Sequence, residues 1–194
     1  MRSVLRILLA AVAFAALPSH ATTFKAFDFD QLTAQADRIF IGTVTAANPT
    51  MTVRGAIVTD FVFSEVEDVK GASGDATQSV RMIGGTLGTR TLAVPGAPTF
   101  RIGERYLVFV QGNGRVMFPT LGGPQGIYRM RVDSQKSRTE VLDYAGNPVT
   151  SLPTRGATSR PKAATGITSY AAQQETFTKE AFVAEIRKRS EGAR

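Results

Sequence analysis

Apolar and polar positions along this chain fall into four regimes. Ile7 to Leu17 is an unbroken run of eleven apolar residues. From Arg38 to Tyr144 the apolar residues form short runs rich in Val, Ile, Thr, Phe and Tyr, which is strand composition rather than helix composition. From Ala145 to Glu175 no apolar period persists, and Pro148, Pro153 and Pro161 mix with Gly146, Gly156 and Gly166. From Thr176 to Arg194, Phe182 and Ile186 stand four apart, as on one helix face.

The strand region divides at its turn residues. Arg38–Ala46, Ile57–Val69 and Ser79–Ile83 read as strands, and Thr91–Val94 as a further one halted by Pro95 and Pro98. Alternation along Ile57–Val69 is imperfect, which predicts a bulge or a sharp bend. Arg105–Val110 is the most apolar run and is expected to be the most buried. Asn113-Gly114 stands between it and Arg115–Pro119, the dipeptide that suits a tight hairpin because both residues accept positive φ. Ile127–Val132 and Thr139–Tyr144 follow as another pair. About seven short strands at close spacing predict a mainly β fold, a closed or nearly closed antiparallel barrel or a sandwich.

Helices are expected at either side. Asp30 is placed to cap a short helix over Gln31–Ala36, with Phe24, Phe27, Phe29 and Leu32 as core residues. At the other end Thr178 is the expected N-cap, with Phe177 and Phe182 in the two positions of a hydrophobic staple. Arg187, Lys188 and Arg189 fall where positive charge suits the macrodipole.

The first regime reads as a targeting signal. Arg2 and Arg6 precede the apolar run, Pro18 ends it, and Ser19-His20-Ala21 supplies the small residues of a cleavage site between Ala21 and Thr22. Eleven helical residues span about 16 Å, roughly half a bilayer core, too little for an anchor. The expected organisation is therefore a signal peptide over 1–21, a β domain over 22–144, a flexible connector over 145–175 and a helix over 176–194. A cleaved signal places the protein in the periplasm or outside the cell. The mature chain carries no transmembrane segment.

Composition then removes chemistries. The chain has no Cys, so no disulfide, zinc knuckle, iron–sulfur cluster or thiol nucleophile is possible. Its one His, His20, lies in the expected signal, which leaves the mature chain without an imidazole for a triad, a metal or a general base. No metal and no cofactor are expected.

A few features remain as candidates. Gly84-Gly85-Thr86-Leu87-Gly88 and Gly122-Gly123-Pro124-Gln125-Gly126 are glycine clusters, but neither has a phosphate-loop ending or a following helix pattern, so both read as turns or bulges. Glu65, Glu67 and Asp68 form an acidic stretch in the long strand. Glu65 and Glu67, two apart, are expected on one face, a solvated one, or one that binds a hard cation or does acid/base work. Charge is uneven: residues 22–110 carry net −1 and residues 111–194 net +6. In the basic half, Tyr128, Arg129 and Arg131 interleave ring and cation and form the expected ligand-binding face. The loops at Gly84–Gly88 and Pro95–Pro98 are the other expected binding elements. Nucleic acid is not expected to meet an exported protein.

Three pieces occur in order: ADRIFIGTV (Ala36–Val44), a long strand closing on DVKG (Asp68–Gly71), and GERYLVF (Gly103–Phe109). This layout resembles uncharacterised exported bacterial proteins. It is more distantly similar to the inhibitory domain of the tissue inhibitors of metalloproteinases (TIMPs) and to netrin-type modules, whose fold is an OB barrel. The resemblance covers about Ala36–Val110 and implies an OB-like, TIMP/netrin-like antiparallel barrel with a short N-terminal helix and a C-terminal helix. Those inhibitors reach the protease metal through an N-terminal cysteine, which this chain lacks, so that role does not carry over to any residue here.

The expected function is a non-enzymatic binding module for an unknown protein or an envelope polymer. A protease inhibitor acting through its N-terminal segment, and a hydrolase using a metal held by carboxylates alone, are the alternatives.

Overall fold

The computed structural model describes residues 24–72, 74–153 and 175–192. The expected signal peptide, its Ala21–Thr22 junction and most of the expected connector lie outside the described residues.

The fold is mainly β, with an antiparallel sheet and one helix near each terminus. In chain order the elements are helix α1 (Phe29–Gln35), strands β1 (Arg38–Met51), β2 (Ile57–Lys70), β3 (Thr77–Ile83), β4 (Gly85–Leu87), β5 (Arg90–Leu92), β6 (Arg105–Val110), β7 (Ile127–Asp133) and β8 (Arg138–Leu142), and helix α2 (Lys179–Glu191). Six strands pair in the order β3-β2-β1-β6-β7-β8, and β4 and β5 form a separate hairpin. The hydrogen-bonded sheet does not close on itself, because β3 and β8 do not pair.

The central strands are buried on both faces. From β1, Ile39 and Ile41 enter one core cluster while Phe40 and Val44 enter another. From β6, Leu107 and Phe109 go to the first cluster while Tyr106, Val108 and Val110 go to the second. This is why RYLVFV shows no alternation: a strand with two covered faces needs apolar side chains on both. Helices α1 and α2 cover the first face through Phe29, Leu32, Phe182 and Ile186. The loop residue Phe100 plugs the second, its ring 5.2 Å from Phe61, 5.1 Å from Phe63 and 5.2 Å from Tyr106.

The irregularity of the second strand is a bulge. Ser64 pairs with Thr43 and Glu67 with Ile41, so β2 carries one residue more than β1 between these pairs. Glu65 takes the left-handed conformation there, at φ 53°. Parity changes at that point. Phe61 and Phe63 face the second cluster, and Val66 then packs against the same cluster although it is three residues on.

Helix α1 starts earlier than expected. Asp28, not Asp30, is the N-cap: its Oδ1 accepts from Gln31 N at 2.7 Å, and Gln31 Oε1 accepts from Asp28 N at 3.2 Å. The Asp-x-x-Gln spacing satisfies two end donors at once, which a cap at Asp30 cannot do. Asp30 instead accepts from Arg189 Nε at 2.6 Å and ties α1 to α2. Helix α2 begins as expected. Thr178 Oγ1 accepts from Ala181 N at 3.2 Å, and the Phe177 and Phe182 rings lie 5.8 Å apart.

The hairpin expected at Asn113-Gly114 does not form, and Arg115–Pro119 is not a strand. Arg115 N and Val116 N both donate to Gly112 O, which curls the segment into a turn. The Asn113 side chain leaves that turn and binds the outer edge of β3. Its Nδ2 donates to Ser79 O at 2.7 Å and its Oδ1 accepts from Arg81 N at 3.0 Å. Ile83 N donates to Met117 O a few residues further on. An exposed strand edge invites pairing with another chain, and here a loop occupies it.

The opposite edge is covered too. Val149 N donates to Val141 O and Val141 N donates to Phe177 O, so segments on either side of 154–174 flank β8. Val149 is buried, so the start of the expected connector belongs to the packed fold.

Candidate functional site

Strand β3 ends at Ile83, and the chain leaves the sheet through Gly84 at φ 103° and Gly85 at φ 129°. Gly84 N donates to Ile57 O at 2.8 Å, and Thr59 Oγ1 donates to Gly84 O at 2.7 Å. A Cβ on Gly85 would stand 2.2 Å from Thr59 Oγ1. The first glycine cluster is thus a backbone-to-side-chain contact that only glycine permits. It directs the β4–β5 hairpin off the sheet.

After β5 the chain turns at Val94–Ala97, with Ala97 N donating to Val94 O, and Pro98 is buried. Thr99 N then donates to the Tyr144 hydroxyl at 2.9 Å. The loops at Gly84–Gly88 and Pro95–Pro98, picked separately from sequence, are therefore neighbours. Between them lies a cleft of about 230 Å³. Phe61 and Met82 line its inner part, and Leu92, Val94 and Pro98 line its walls. No titratable side chain of the described residues lines it. Such a cleft supplies apolar contact and a few backbone and hydroxyl groups. The side-chain hydroxyls are those of Thr59 and Thr99.

Beside Thr99 sits a polar cluster. Tyr106 OH donates to Glu104 Oε2 at 2.6 Å and accepts from Arg101 N at 3.2 Å. Burial, and then the bond to Glu104, push the Tyr106 phenol up to about 12. Arg129 Nε is 3.7 Å from Glu104 Oε2, and its guanidinium lies 5.9 Å from the Tyr144 ring centre. Arg129 therefore faces the end of the molecule that carries the cleft.

Tyr128 and Arg131 are elsewhere. Tyr128 belongs to the core beneath α2, its ring 4.8 Å from Phe182 and 6.0 Å from Phe109. Burial pushes its phenol well above the usual range. Neighbouring residues on a strand point to opposite faces, so Tyr128 cannot share a surface with Arg129 and Arg131. Arg131 is exposed and donates to Glu140 Oε2 at 2.8 Å, across the β7–β8 pair. Glu140 is 3% exposed and also receives Lys136 at 3.3 Å and Arg138 at 3.1 Å. The bonds from Arg131 and then Arg138 hold its carboxyl down at about 2.

The acidic stretch is fully engaged. Glu65 Oε2 accepts from Arg105 Nη1 at 3.1 Å and from Thr43 Oγ1 at 3.0 Å. Glu67 pairs with Lys179 of α2 at 3.1 Å, and Asp68 with Arg38 at 2.7 Å. Among the described residues no group of three His, Cys, Asp or Glu is placed to hold a metal ion.

The second glycine cluster positions the N-terminal segment. Gln125 Oε1 accepts from Phe27 N at 3.0 Å, and its Nε2 donates to Lys25 O at 2.9 Å, so one side-chain amide serves as a strand residue would. The Phe24 ring lies where a Cβ on Gly123 would be, 2.6 Å from it.

No family model, no curated protein and no solved structure matches this chain. The cleft residues Thr59, Phe61 and Met82 escaped the sequence reading because strand patterning assigns them to the core. The sequence signal nearest to them is the Gly84-Gly85 pair directly after β3.

Proposed function

We propose that the chain is an exported, non-enzymatic binding module with an OB-like fold. It takes an uncharged stretch of a protein or envelope polymer into the cleft between β3, the β4–β5 hairpin and the Pro95–Pro98 loop. The observation that carries this reading is the cleft itself: an apolar recess framed by two glycine- and proline-bearing loops, with no titratable lining. Support for a non-catalytic role comes from the carboxylates. Glu65 and Glu67 are neutralised by different cations, Arg105 and Lys179. Export rests on the Met1–Ala21 segment. The bulged β2 and the core on both faces of β1 and β6 support a strongly coiled sheet of OB type.

The test is a comparison of captured ligands. Immobilised mature chain and its Ala93→Trp variant, which fills the cleft mouth, are exposed to the same envelope extract. The species bound by the parent chain should be missing from the variant, with the melting temperature unchanged. Identical capture by both would refute the cleft as the binding element.

A further inference from the structure

Among the described residues of the basic second half, Arg129, Arg131, Lys136, Arg138, Lys179 and Arg189 each meet a carboxylate. The half that looks neutral also carries unpaired positive charge, and there it is gathered in one region. From Thr45 to Thr59, and again from Ala76 to Gly103, there is no Asp or Glu. These two stretches build the β1–β2 hairpin tip, β3, the β4–β5 hairpin and the cleft rim. The carboxylates that border these stretches are occupied, Asp60 by Arg81 at 2.6 Å and Glu104 by Tyr106 and Arg129, and Asp75 is not free either.

At the outer end of this acid-free region the two hairpins meet. Arg90 Nη1, from the β4–β5 turn, lies 3.8 Å from Met51 Sδ at the end of β1. The tip itself is a built turn. Gly55 N donates to Thr52 O at 2.9 Å, Thr52 N to Ala56 O at 2.8 Å, and Ala56 N to Thr52 Oγ1 at 3.1 Å. That turn holds Val53 out at full exposure, with Met51 43% exposed beside it. Arg54 and Arg90 are exposed and have no carboxylate partner among the described residues. Other apolar side chains are exposed singly, such as Val132 at 72%, but Val53 and Met51 stand together at one tip beside two arginines without a carboxylate partner among the described residues. An apolar tip with a collar of unpaired arginines matches the boundary of an anionic bilayer, where the apolar group enters the interface and the cations meet headgroup phosphates.

We propose that the β1–β2 tip, with Arg90 of the adjoining hairpin, docks the protein on an anionic phospholipid surface, Val53 inserting and Arg54 and Arg90 binding phosphates. This goes beyond the cleft reading and does not depend on it.

The mature chain is sedimented with vesicles of phosphatidylglycerol in phosphatidylcholine, and with pure phosphatidylcholine vesicles. Binding is expected to the anionic vesicles only and to fall with salt. Each lost arginine contact is expected to cost about fivefold, so R54A/R90A should bind on the order of 25-fold more weakly. R187A/K188A on α2 removes the same charge elsewhere and should bind within about twofold of the parent. V53S should weaken vesicle binding but leave binding to soluble polyphosphate unchanged, and Ala93→Trp should leave vesicle binding intact. Absence of binding to anionic vesicles, equal losses in the tip and helix variants, or a V53S variant equal to the parent on vesicles would each overturn the proposal; the last would mean that Val53 does not insert and that charge alone holds the tip to the surface.

Discussion

Lys70, the last residue of β2, donates to the carbonyl oxygen of Ala36 at 2.8 Å, and the same ammonium reaches Thr33 O at 2.6 Å and Ala34 O at 3.0 Å. One side chain thus serves three carbonyls where α1 ends, the groups a helix C-terminus leaves without internal partners. The next residue, Gly71 at φ 68°, sits so close that a Cβ would be 2.5 Å from Asp37 O. Asp37 in turn accepts from Gly112 N at 2.8 Å. The Ala36-Asp37 and Lys70-Gly71 pairs that stand far apart in sequence are two sides of one joint.

Breaking that joint should be costly in a way that charge alone does not repair. Lys70→Met leaves up to three carbonyls without their donor, and about 1–3 kcal/mol of stability should be lost. Lys70→Arg should recover only part of it, because a planar fork cannot aim three hydrogens at carbonyls clustered around a point. Urea denaturation of the two variants checks this. Equal stability of Lys70→Met and the parent would show the contacts to be incidental.

A second prediction concerns the edge of β3. Asn113 acts there as a short piece of strand, one donor and one acceptor. Asn113→Ala should remove both bonds and cost about 1–2 kcal/mol. Asn113→Asp should cost more, since a carboxylate oxygen would then face Ser79 O. Amide exchange of Arg81, expected to be slow in the parent, should become fast in Asn113→Ala, where its acceptor is gone, and less so in Asn113→Asp, which keeps an accepting oxygen. Unchanged exchange would mean that another part of the loop covers the edge.

Legibility in the sequence followed the range of each interaction. Thr178 with its staple and the bulge in β2 were readable because their signals lie within a few residues. The Asp28 box was equally local, but the adjacent Asp30 offered a competing cap. Asn113-Gly114 misled for a different reason. Gly112 and Gly114, not Asn113, take positive φ there, and the Asn113 side chain found partners more than thirty residues away on β3, which no short-range pattern contains. The two cleft loops could be picked as loops, but their adjacency depends on Thr59 and Gly85 in different elements. Tyr128 and Arg129 looked like one face only while their alternation on β7 was ignored.

That alternation predicts opposite outcomes for adjacent residues. Tyr128→Ala should cost about 3–5 kcal/mol, as large aromatic truncations in a core do, whereas Tyr128→Phe should be nearly neutral because no hydrogen bond to its hydroxyl is present among the described residues. Arg129→Ala should change stability by about 1 kcal/mol or less, since its pair with Glu104 is long and partly exposed. Thermal unfolding of the three variants checks the order. A Tyr128→Ala variant as stable as Arg129→Ala would contradict the burial.

The last prediction is acid sensitivity centred on Glu140. Its carboxyl is held at about 2 in the folded protein against an ordinary value of 4.5, by Arg131 first and Arg138 next. A carboxyl with a depressed folded pKa stabilises the fold in full above its ordinary value, and that contribution is lost as pH falls through the folded one. Glu175, held low by Arg138, and Glu185, held low by Arg189, act in the same direction. The melting temperature should therefore be flat above about pH 5 and fall steadily toward pH 2. Arg131→Gln removes the strongest partner of Glu140, so the fall should begin at the same pH but level off at higher pH and be smaller in total, because less separates the folded and unfolded values. Glu140→Gln should flatten it further by removing the titrating group. An unchanged profile in Arg131→Gln would mean that Lys136 and Arg138 alone hold the buried carboxylate.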